Sequence, residues 1–259
     1  MFPILFEIGD FALHTYGLMI AIGVLLGLYF ARSEARRLEI NEDRILDVIF
    51  YMIVVAIVTS RLFYVATKPA YFFANPLEIV MIWKGGLVFY GGFIGAAMTL
   101  ILYVRAHRLP LGKTLDIAGI SIPLGHFFGR LGCFFAGCCY GRPTDVPWAI
   151  TFTHPDSLAP LGVALHPTQL YHAFGNLLIF LILFFIRRRQ HVDGQIFLLY
   201  LLFYGVIRST IEIFRGDDRG GMILGLFSIS QVIGISVAFA ALVLLIIFFR
   251  KKQSAITHG

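Results

Sequence analysis

The chain has 259 residues, of which 58% are hydrophobic and 14% are charged, and its mean hydropathy is +0.83. Soluble domains contain about 45–50% apolar and about 25% charged residues, so the composition excludes an ordinary soluble protein. The net charge of +6 comes from Lys and Arg in the connecting segments, which indicates membrane topology and anionic lipid rather than nucleic acid binding.

Seven apolar runs are long enough for a membrane helix, which needs about 20 predominantly apolar residues. Segments that contain Gly, Pro or charged residues separate these runs. We predict an all-α integral membrane protein with seven transmembrane helices, folded as a single membrane-embedded domain over residues 1–259. In chain order the predicted helices cover residues 14–31, 45–67, 87–104, 114–135, 167–186, 194–214 and 228–249.

Lys and Arg are distributed unequally over the connecting segments, with thirteen on one side and five on the other. Basic loops stay in the cytoplasm, so the N-terminus is predicted outside and the C-terminus inside. The first ten residues carry Glu7 and Asp10 but no basic residue, so we expect the first helix to be retained rather than cleaved as a signal peptide. The segment 137–166 contains four Pro residues and is predicted to form an outer arm or lid.

Three arginines, Arg61, Arg130 and Arg208, lie in the outer halves of predicted helices. An Arg at the bilayer centre costs at least about 2.5–3.5 kcal/mol, so each should face the bundle interior, a cavity or the interface. One interpretation is snorkelling, or structural ion pairs with Asp116 and with Glu212, which shares a helix face with Arg208. The other is an anion site, which three arginines at matching depth favour because guanidinium binds phosphate in a bidentate manner.

A histidine and three cysteines lie close to Arg130 in the sequence. His126 precedes it by one helical turn, so the imidazole and the guanidinium can share a face. Cys133, Cys138 and Cys139 follow, but C-x4-C-C is not the paired spacing of a closed zinc site. We therefore predict no metal and assign the thiols to close helix packing.

Two tyrosines lie near the predicted outer ends of helices. Tyr16 begins the first helix, and Tyr204 precedes Arg208 by one turn on the same face. Tyrosines at this depth are typical of interfacial anchors.

Two glycine pairs, Gly85-Gly86 and Gly91-Gly92, flank the apolar run that contains Tyr90. Because Gly lacks a side chain, such pairs let the backbone approach either a ligand or a neighbouring helix. The segment alone favours neither alternative.

Several separated motifs resemble those of the prolipoprotein diacylglyceryl transferases of bacterial inner membranes, over nearly the whole chain. The resemblance implies a seven-helix, multi-pass protein of the bacterial cytoplasmic (inner) membrane with its N-terminus outside. It also implies transfer of the sn-1,2-diacylglyceryl group from phosphatidylglycerol to the thiol of a prolipoprotein's lipobox cysteine. This reaction releases glycerol phosphate and is the first step of bacterial lipoprotein maturation. The matching motifs are His14–Met19, Gly85–Gly95, Asp116–Gly141, His166–Tyr171 and Tyr204–Arg215.

The resemblance assigns catalytic roles to several residues. Arg130 matches the arginine of the family's Gly-Arg signature, Tyr204 and Arg208 match its Tyr-x3-Arg pair, and Tyr16 matches the tyrosine of the first helix. Both arginines are expected to bind the lipid phosphate. The residues expected to bind substrate are Arg130, Arg208, Glu212, Asp116, Arg61, Gly86, Gly91, Gly92 and Gly141.

The chain departs from the family pattern at four positions. Cys133, Ala136 and Cys138 replace Asn, Asn and Glu of the signature, and Tyr90 replaces the histidine that is the family's proposed base. We hypothesise that His126, one turn from the signature arginine, takes the place of that histidine. Tyr90 stays an alternative catalytic residue.

Two other functions are compatible with the sequence. A small-anion transporter would explain seven spans and buried arginines, although the inverted repeat of many transporters is missing. A non-catalytic lipid-binding membrane protein is compatible with the replaced signature residues. The leading prediction is the transferase, without cofactor, with phosphatidylglycerol, a prolipoprotein signal peptide and membrane lipid as partners and without nucleic acid.

Overall fold

The computed structural model describes residues 2–8, 11–189, 192–217, 222–223 and 227–257. Within these residues, seven helices are long and apolar enough to cross a membrane, which confirms the predicted all-α integral membrane protein. An eighth, short helix follows the second of them. The helices are α1 (Thr15–Arg37), α2 (Glu42–Thr67), α3 (Pro69–Ala74), α4 (Phe89–Ala106), α5 (Leu111–Ala136), α6 (Thr168–Ile186), α7 (Gln195–Glu212) and α8 (Ile229–Thr257).

Three short antiparallel hairpins and three 3₁₀ segments complete the described secondary structure. These elements lack the long apolar run by which the helices are recognised, and the sequence does not predict them. The strands are β1 (Ile4–Ile8) with β2 (Phe11–His14), β3 (Ile150–Thr151) with β4 (Ala164–Leu165), and β5 (Met222–Ile223) with β6 (Phe227–Ser228). The 3₁₀ segments are Pro76–Val80, Ile82–Lys84 and Arg187–Arg189.

Contacts divide the chain into two compact units, Met1–Glu34 with Leu115–Gly259, and Ala35–Thr114. A single domain over residues 1–259 stays a prediction.

In the smaller unit α2 packs against α4 through glycines. A Cβ atom built at Gly91 would lie 2.7 Å from the Thr59 carbonyl oxygen, and one at Gly92 would lie 2.5 Å from Ser60 Oγ. At Gly91 and Gly92 the structure therefore shows close helix packing, and substrate binding by these glycines stays a prediction.

The core of the larger unit lies between α5, α6 and α7. It consists of apolar side chains that are buried from all sides, including Ile120, Ile179, Leu183 and Ile196. Many other large apolar side chains on the spanning helices are exposed, as expected where lipid replaces water around a helix.

A buried ion pair joins α1 to the end of α6. Arg187 Nε lies 3.0 Å from Glu34 Oε1, and both side chains are almost fully buried. The Arg187 guanidinium also stacks over the Phe184 ring, 3.4 Å from its centroid.

The segment 137–166, predicted as an outer arm, has a small core of its own made by Phe152, Ala159 and Leu165. Main-chain hydrogen bonds tie its first residues to the end of α7: Arg142 N donates to Phe214 O at 2.9 Å. The arm thus folds against the larger unit, and its motion as a lid stays a prediction.

Candidate active site

Polar residues from four helices of the larger unit converge at the ends that the charge count places outside. The charges of Arg130 on α5, Arg208 on α7 and Arg215 beyond α7 all act on the ring of His172 on α6. Tyr16 on α1 lies within electrostatic range of Arg130. The structure therefore places Arg130, Arg208 and Arg215 around His172, and Tyr16 near Arg130. A shared role of these residues in substrate binding stays a prediction.

Arg130 differs from the other arginines of this cluster because its guanidinium has no ion-pair partner among the described residues. It is half-buried, and no ion pair or hydrogen bond of its guanidinium occurs within the part of the chain that the structure describes. A guanidinium carries five donors in a planar fork. Arg130 therefore has the donors available to bind an anion such as a phosphate.

Arg208, in contrast, forms an ion pair with Glu212 on the next turn of α7, as one of the two sequence interpretations expects. Glu212 also accepts a 3.1 Å hydrogen bond from Ser228 Oγ and lies 3.9 Å from Arg215 Nε. Because Glu212 binds three partners, it holds Arg208 in one orientation at the edge of the cluster.

The sequence does not single out Arg215 as a site residue, because it lies beyond the apolar run of α7. Its side chain is buried and forms a bidentate pair with Asp217, at 2.8 and 2.6 Å. Its charge also interacts with the thiol of Cys139. Arg215 thus adds positive charge beside the thiols.

His172 is a second residue that sequence reasoning missed. It is fully buried, and both ring nitrogens lack a hydrogen-bond partner among the described residues. Asn176, one turn later, donates to the His172 carbonyl at 2.7 Å. The available signal was an ionisable residue, His172, within an apolar helix and one turn before Asn176, since intramembrane ionisable residues are usually functional.

His126, the hypothetical base, packs against two tyrosines of α7. Its Nδ1 lies 3.4 Å from Tyr200 Oη, and its ring centroid lies 5.4 Å from that of Tyr204. Tyr204 lies one helical turn after Tyr200 and one turn before Arg208, on the same face of α7. The base role of His126 stays a prediction.

The three cysteines form a cluster at the end of α5. Their sulfur atoms all lie within 4.8 Å of one another, close enough to hold a metal ion. Hydrogen bonds to the thiols of Cys133 and Cys139, together with burial, raise the pKa of Cys138. The expectation of no metal rests on linear spacing, which does not include the turn that brings these sulfurs together.

Side chains of α6 hold that turn. Thr168 Oγ1 donates to Cys139 O at 2.8 Å, and Gln169 Nε2 donates to Cys138 O at 2.9 Å. Cys139 has a φ of 60°, in the left-handed region that a non-glycine residue seldom adopts. Both α6 side chains are fully buried, so the turn is part of the packed structure.

Asp116 and Gly141, which the resemblance assigns to substrate binding, have structural contacts here. Asp116 accepts hydrogen bonds from Gly194 N and Ile196 N, at 2.7 and 2.8 Å, and so caps α7. It lies fourteen residues, or about 21 Å of helix, from Arg130. A Cβ atom at Gly141 would lie 2.5 Å from the His166 carbonyl oxygen, so this glycine permits close backbone packing.

Arg61 of the smaller unit binds main-chain carbonyls. It donates to Ile79 O at 2.9 Å, Gly85 O at 2.6 Å and Gly86 O at 3.1 Å, and also to Glu78 O. These hydrogen bonds show that Arg61 stabilises the segment 78–86, which precedes α4. Its contact with lipid phosphate stays a prediction.

Gly86 and Tyr90 lie in the same segment. Gly86 has a φ of 78° and packs on the Tyr64 ring, so a side chain there would be strained and would collide. Tyr90 is exposed and makes an edge contact with Phe89, at 5.9 Å between centroids. Its catalytic role stays a prediction.

The chain is similar to known proteins over nearly its full length. The model of the family described as prolipoprotein diacylglyceryl transferase matches residues 3–247. A Clostridium tetani protein named phosphatidylglycerol--prolipoprotein diacylglyceryl transferase is 35% identical over 256 residues, which cover 97% of this chain and 100% of the relative. Proteins of the same name from Rhodospirillum rubrum and Finegoldia magna are both 36% identical, covering 99% and 96% of this chain and 96% and 95% of the relatives. The chain therefore belongs to the prolipoprotein diacylglyceryl transferase family.

Proposed function

We propose that this enzyme transfers the diacylglyceryl group of phosphatidylglycerol to the thiol of a prolipoprotein's lipobox cysteine. The names of its relatives support both substrates. The structural observation that carries the proposal is Arg130, whose uncommitted guanidinium lies in a cluster of three arginines at the ends of four helices. These helix ends are predicted to lie at the outer face of the bacterial inner membrane, where lipid headgroups are found.

The reaction is a displacement at a glycerol carbon. The thiol loses its proton, the sulfur forms a bond to carbon, and the bond from that carbon to the phosphate oxygen breaks. The electron pair leaves with the oxygen, so glycerol phosphate is released and a thioether remains. Positive charge fixed around the phosphate favours this step because negative charge builds up on the leaving oxygen.

Each residue of the cluster has a proposed part in this step. Arg130 binds the phosphate by a bidentate fork, and Arg208, oriented by Glu212, binds it from α7. Tyr16 and Tyr204 position the headgroup so that the reacting carbon is in line with the thiol. The thioether forms where lipid and peptide meet at the membrane surface.

The test is a transfer assay with purified protein, phosphatidylglycerol and a synthetic lipobox peptide that contains one cysteine. Peptide mass and glycerol phosphate release are followed together. Replacing Arg130 by Ala is expected to lower transfer by at least about 100-fold, as for the loss of one anion-stabilising group. Arg105→Ala, an exposed arginine at the end of α4, serves as the matched control and should retain full transfer.

The outcomes separate the remaining functions. If the protein binds phosphatidylglycerol but modifies no peptide, it is the lipid-binding protein of the alternative hypothesis. A folded Arg130→Ala variant with unchanged transfer would contradict the proposed phosphate site. His126→Ala tests the base hypothesis separately, and full transfer by that variant would remove it.

A further inference from the structure

All cysteines of this chain lie in one place. The chain has three, and the structure brings their sulfur atoms within 4.8 Å of one another. Cys139 reaches the others through a left-handed φ of 60°, a conformation that is strained in a non-glycine residue. Such strain persists only where the surrounding structure imposes it, and Thr168 and Gln169 do so here.

The sulfur positions fit a tetrahedral metal ion. Zinc binds thiolate at about 2.3 Å, which places the sulfurs of a tetrahedron about 3.8 Å apart. Small side-chain rotations therefore bring these thiols to binding distance. Three protein ligands leave the fourth position of a tetrahedral zinc open, as in catalytic rather than structural zinc sites.

The cysteine cluster lies beside the proposed phosphate site. Cys133 and Arg130 are three residues apart on α5, so their side chains are neighbours on one helix face. The charge of Arg130 acts on Cys133, and the charge of Arg215 acts on Cys139. Zinc with three thiolates has a net charge of about −1, which the positive charge of Arg130 offsets.

The chemistry of the substrate matches that position. The peptide substrate of the proposed reaction is itself a thiol, and the family's proposed histidine base is Tyr90 in this chain. A thiol that coordinates zinc is deprotonated outright. A zinc ion in the cluster would therefore supply the thiolate without a histidine.

We propose that Cys133, Cys138 and Cys139 hold one zinc ion, and that the thiol of the lipobox cysteine binds at its fourth position. This inference rests on the proposed function and takes the place of the His126 base hypothesis. The peptide thiol releases its proton to solvent as it binds zinc. The sulfur then forms its bond to the glycerol carbon while the carbon–oxygen bond to the phosphate breaks, and the thioether leaves the metal.

The first experiment measures metal directly. The full-length protein, stripped with a chelator and given zinc, is expected to retain one zinc per chain after gel filtration. A variant with all three cysteines replaced by serine should retain none, whereas Arg105→Ala should bind as the unmodified protein does. Equal zinc content in the unmodified protein and the triple-serine variant would overturn the inference.

The second experiment counts thiolates with cadmium in place of zinc. Sulfur-to-cadmium charge-transfer absorption should increase when a cysteine-containing lipobox peptide is added. The same peptide with serine in place of cysteine should leave the spectrum unchanged. Equal spectra with both peptides would overturn the proposed fourth ligand.

The third experiment needs no mutation and therefore does not depend on the folding of a variant. At pH 7 a thiol with a pKa of about 8.5 is about 3% ionised, so stripping the zinc should slow transfer about 30-fold. Adding zinc back should restore the rate. Undiminished transfer by the metal-free protein overturns the zinc inference but leaves the proposed function intact, whereas zinc binding without any transfer contradicts the proposed function.

Discussion

Glu212 contacts three residues of the candidate site, and its position in the sequence predicts only one of these contacts. It pairs with Arg208, lies 3.9 Å from Arg215 Nε and accepts a hydrogen bond from Ser228. Its spacing from Arg208 predicts the first contact, because residues four apart share a helix face. The other two depend on how the chain continues beyond α7, which helical periodicity does not describe.

Removing the charge of Glu212 is therefore expected to affect both stability and transfer. In Glu212→Gln the buried guanidinium of Arg208 loses its counter-charge, and breaking a buried pair in this way costs about 3–5 kcal/mol. We expect a lower midpoint of thermal unfolding and slower transfer. Glu39→Gln, an exposed carboxylate after α1, is the control and should change neither. An unchanged unfolding midpoint in Glu212→Gln would contradict the structural pairing.

Arg130 and His172 differ in how easily each is identified from the sequence. Arg130 is predictable because a charge in an apolar helix demands a reason. His172 is likewise an ionisable residue in an apolar helix, but it lies just after the motif His166–Tyr171, and the motif does not include it. Its role in the cluster becomes visible only when the charges of Arg130, Arg208 and Arg215 are placed around it.

At the scale of elements, the N-terminus of α7 is held by a residue of another helix. Asp116 on α5 accepts main-chain hydrogen bonds from Gly194, Ile196 and Phe197. Such a carboxylate satisfies donors that have no partner within the helix and interacts favourably with its dipole. No local sequence rule finds this cap, because Asp116 and α7 are about 80 residues apart.

This cap predicts a stability effect for Asp116 rather than a direct effect on the reaction. Asp116→Ala should lower stability by about 1–2 kcal/mol, the usual cost of losing a cap. Asp116→Asn, which keeps one acceptor oxygen, should lose less. Thermal unfolding and transfer rate per folded molecule are the measurements. A large loss of rate at unchanged stability would instead support the substrate-binding role implied by family resemblance.

The outer arm has an expected pH dependence. Burial and the positive charge of Arg142 lower the pKa of His166, whose Nδ1 lies 3.1 Å from Tyr171 Oη. The folded state thus favours neutral imidazole. A histidine whose pKa is lowered on folding stabilises the protein above its unfolded pKa of about 6.5, and this contribution is lost as the pH falls.

We therefore expect the arm to become more sensitive to proteolysis as the pH is lowered from about 7.5 to about 5.5. His166→Gln should show a weaker pH dependence. The control is His154→Gln, because His154 lies on the same arm but is only partly buried. Equal pH dependence in the unmodified protein and in His166→Gln would contradict the assignment.

At the scale of the whole molecule, the number and order of spanning helices follow from the sequence, since lipid requires about 20 apolar residues per crossing. The helix ends do not follow as closely. α1 continues to Arg37, beyond the apolar run, because Arg, Glu and Ala are good helix formers in water as well. The nearness of Cys133, Cys138 and Cys139 follows from the sequence. The meeting of their sulfurs does not, because it depends on a left-handed turn at Cys139, whereas spacing rules assume regular ligand pairs.

The orientation of the whole chain is testable without reference to activity. The excess of Lys and Arg predicts a cytoplasmic C-terminus. Green fluorescent protein fused there is expected to fluoresce, and an epitope tag at the N-terminus should react with antibody applied from outside. Antibody binding only after the membrane is permeabilised would reverse the predicted topology.

The buried pair of Glu34 and Arg187 has a consequence for how the chain is made. Its two members are 153 residues apart (187 − 34) and both are almost fully buried. At 5–20 residues per second, Glu34 is synthesised roughly 8 to 30 s before its partner exists. During that interval the carboxylate must stay in water or bind a transient partner. The buried pair, and with it the packing of the end of α1 against α6, is therefore completed only after α6 has been synthesised.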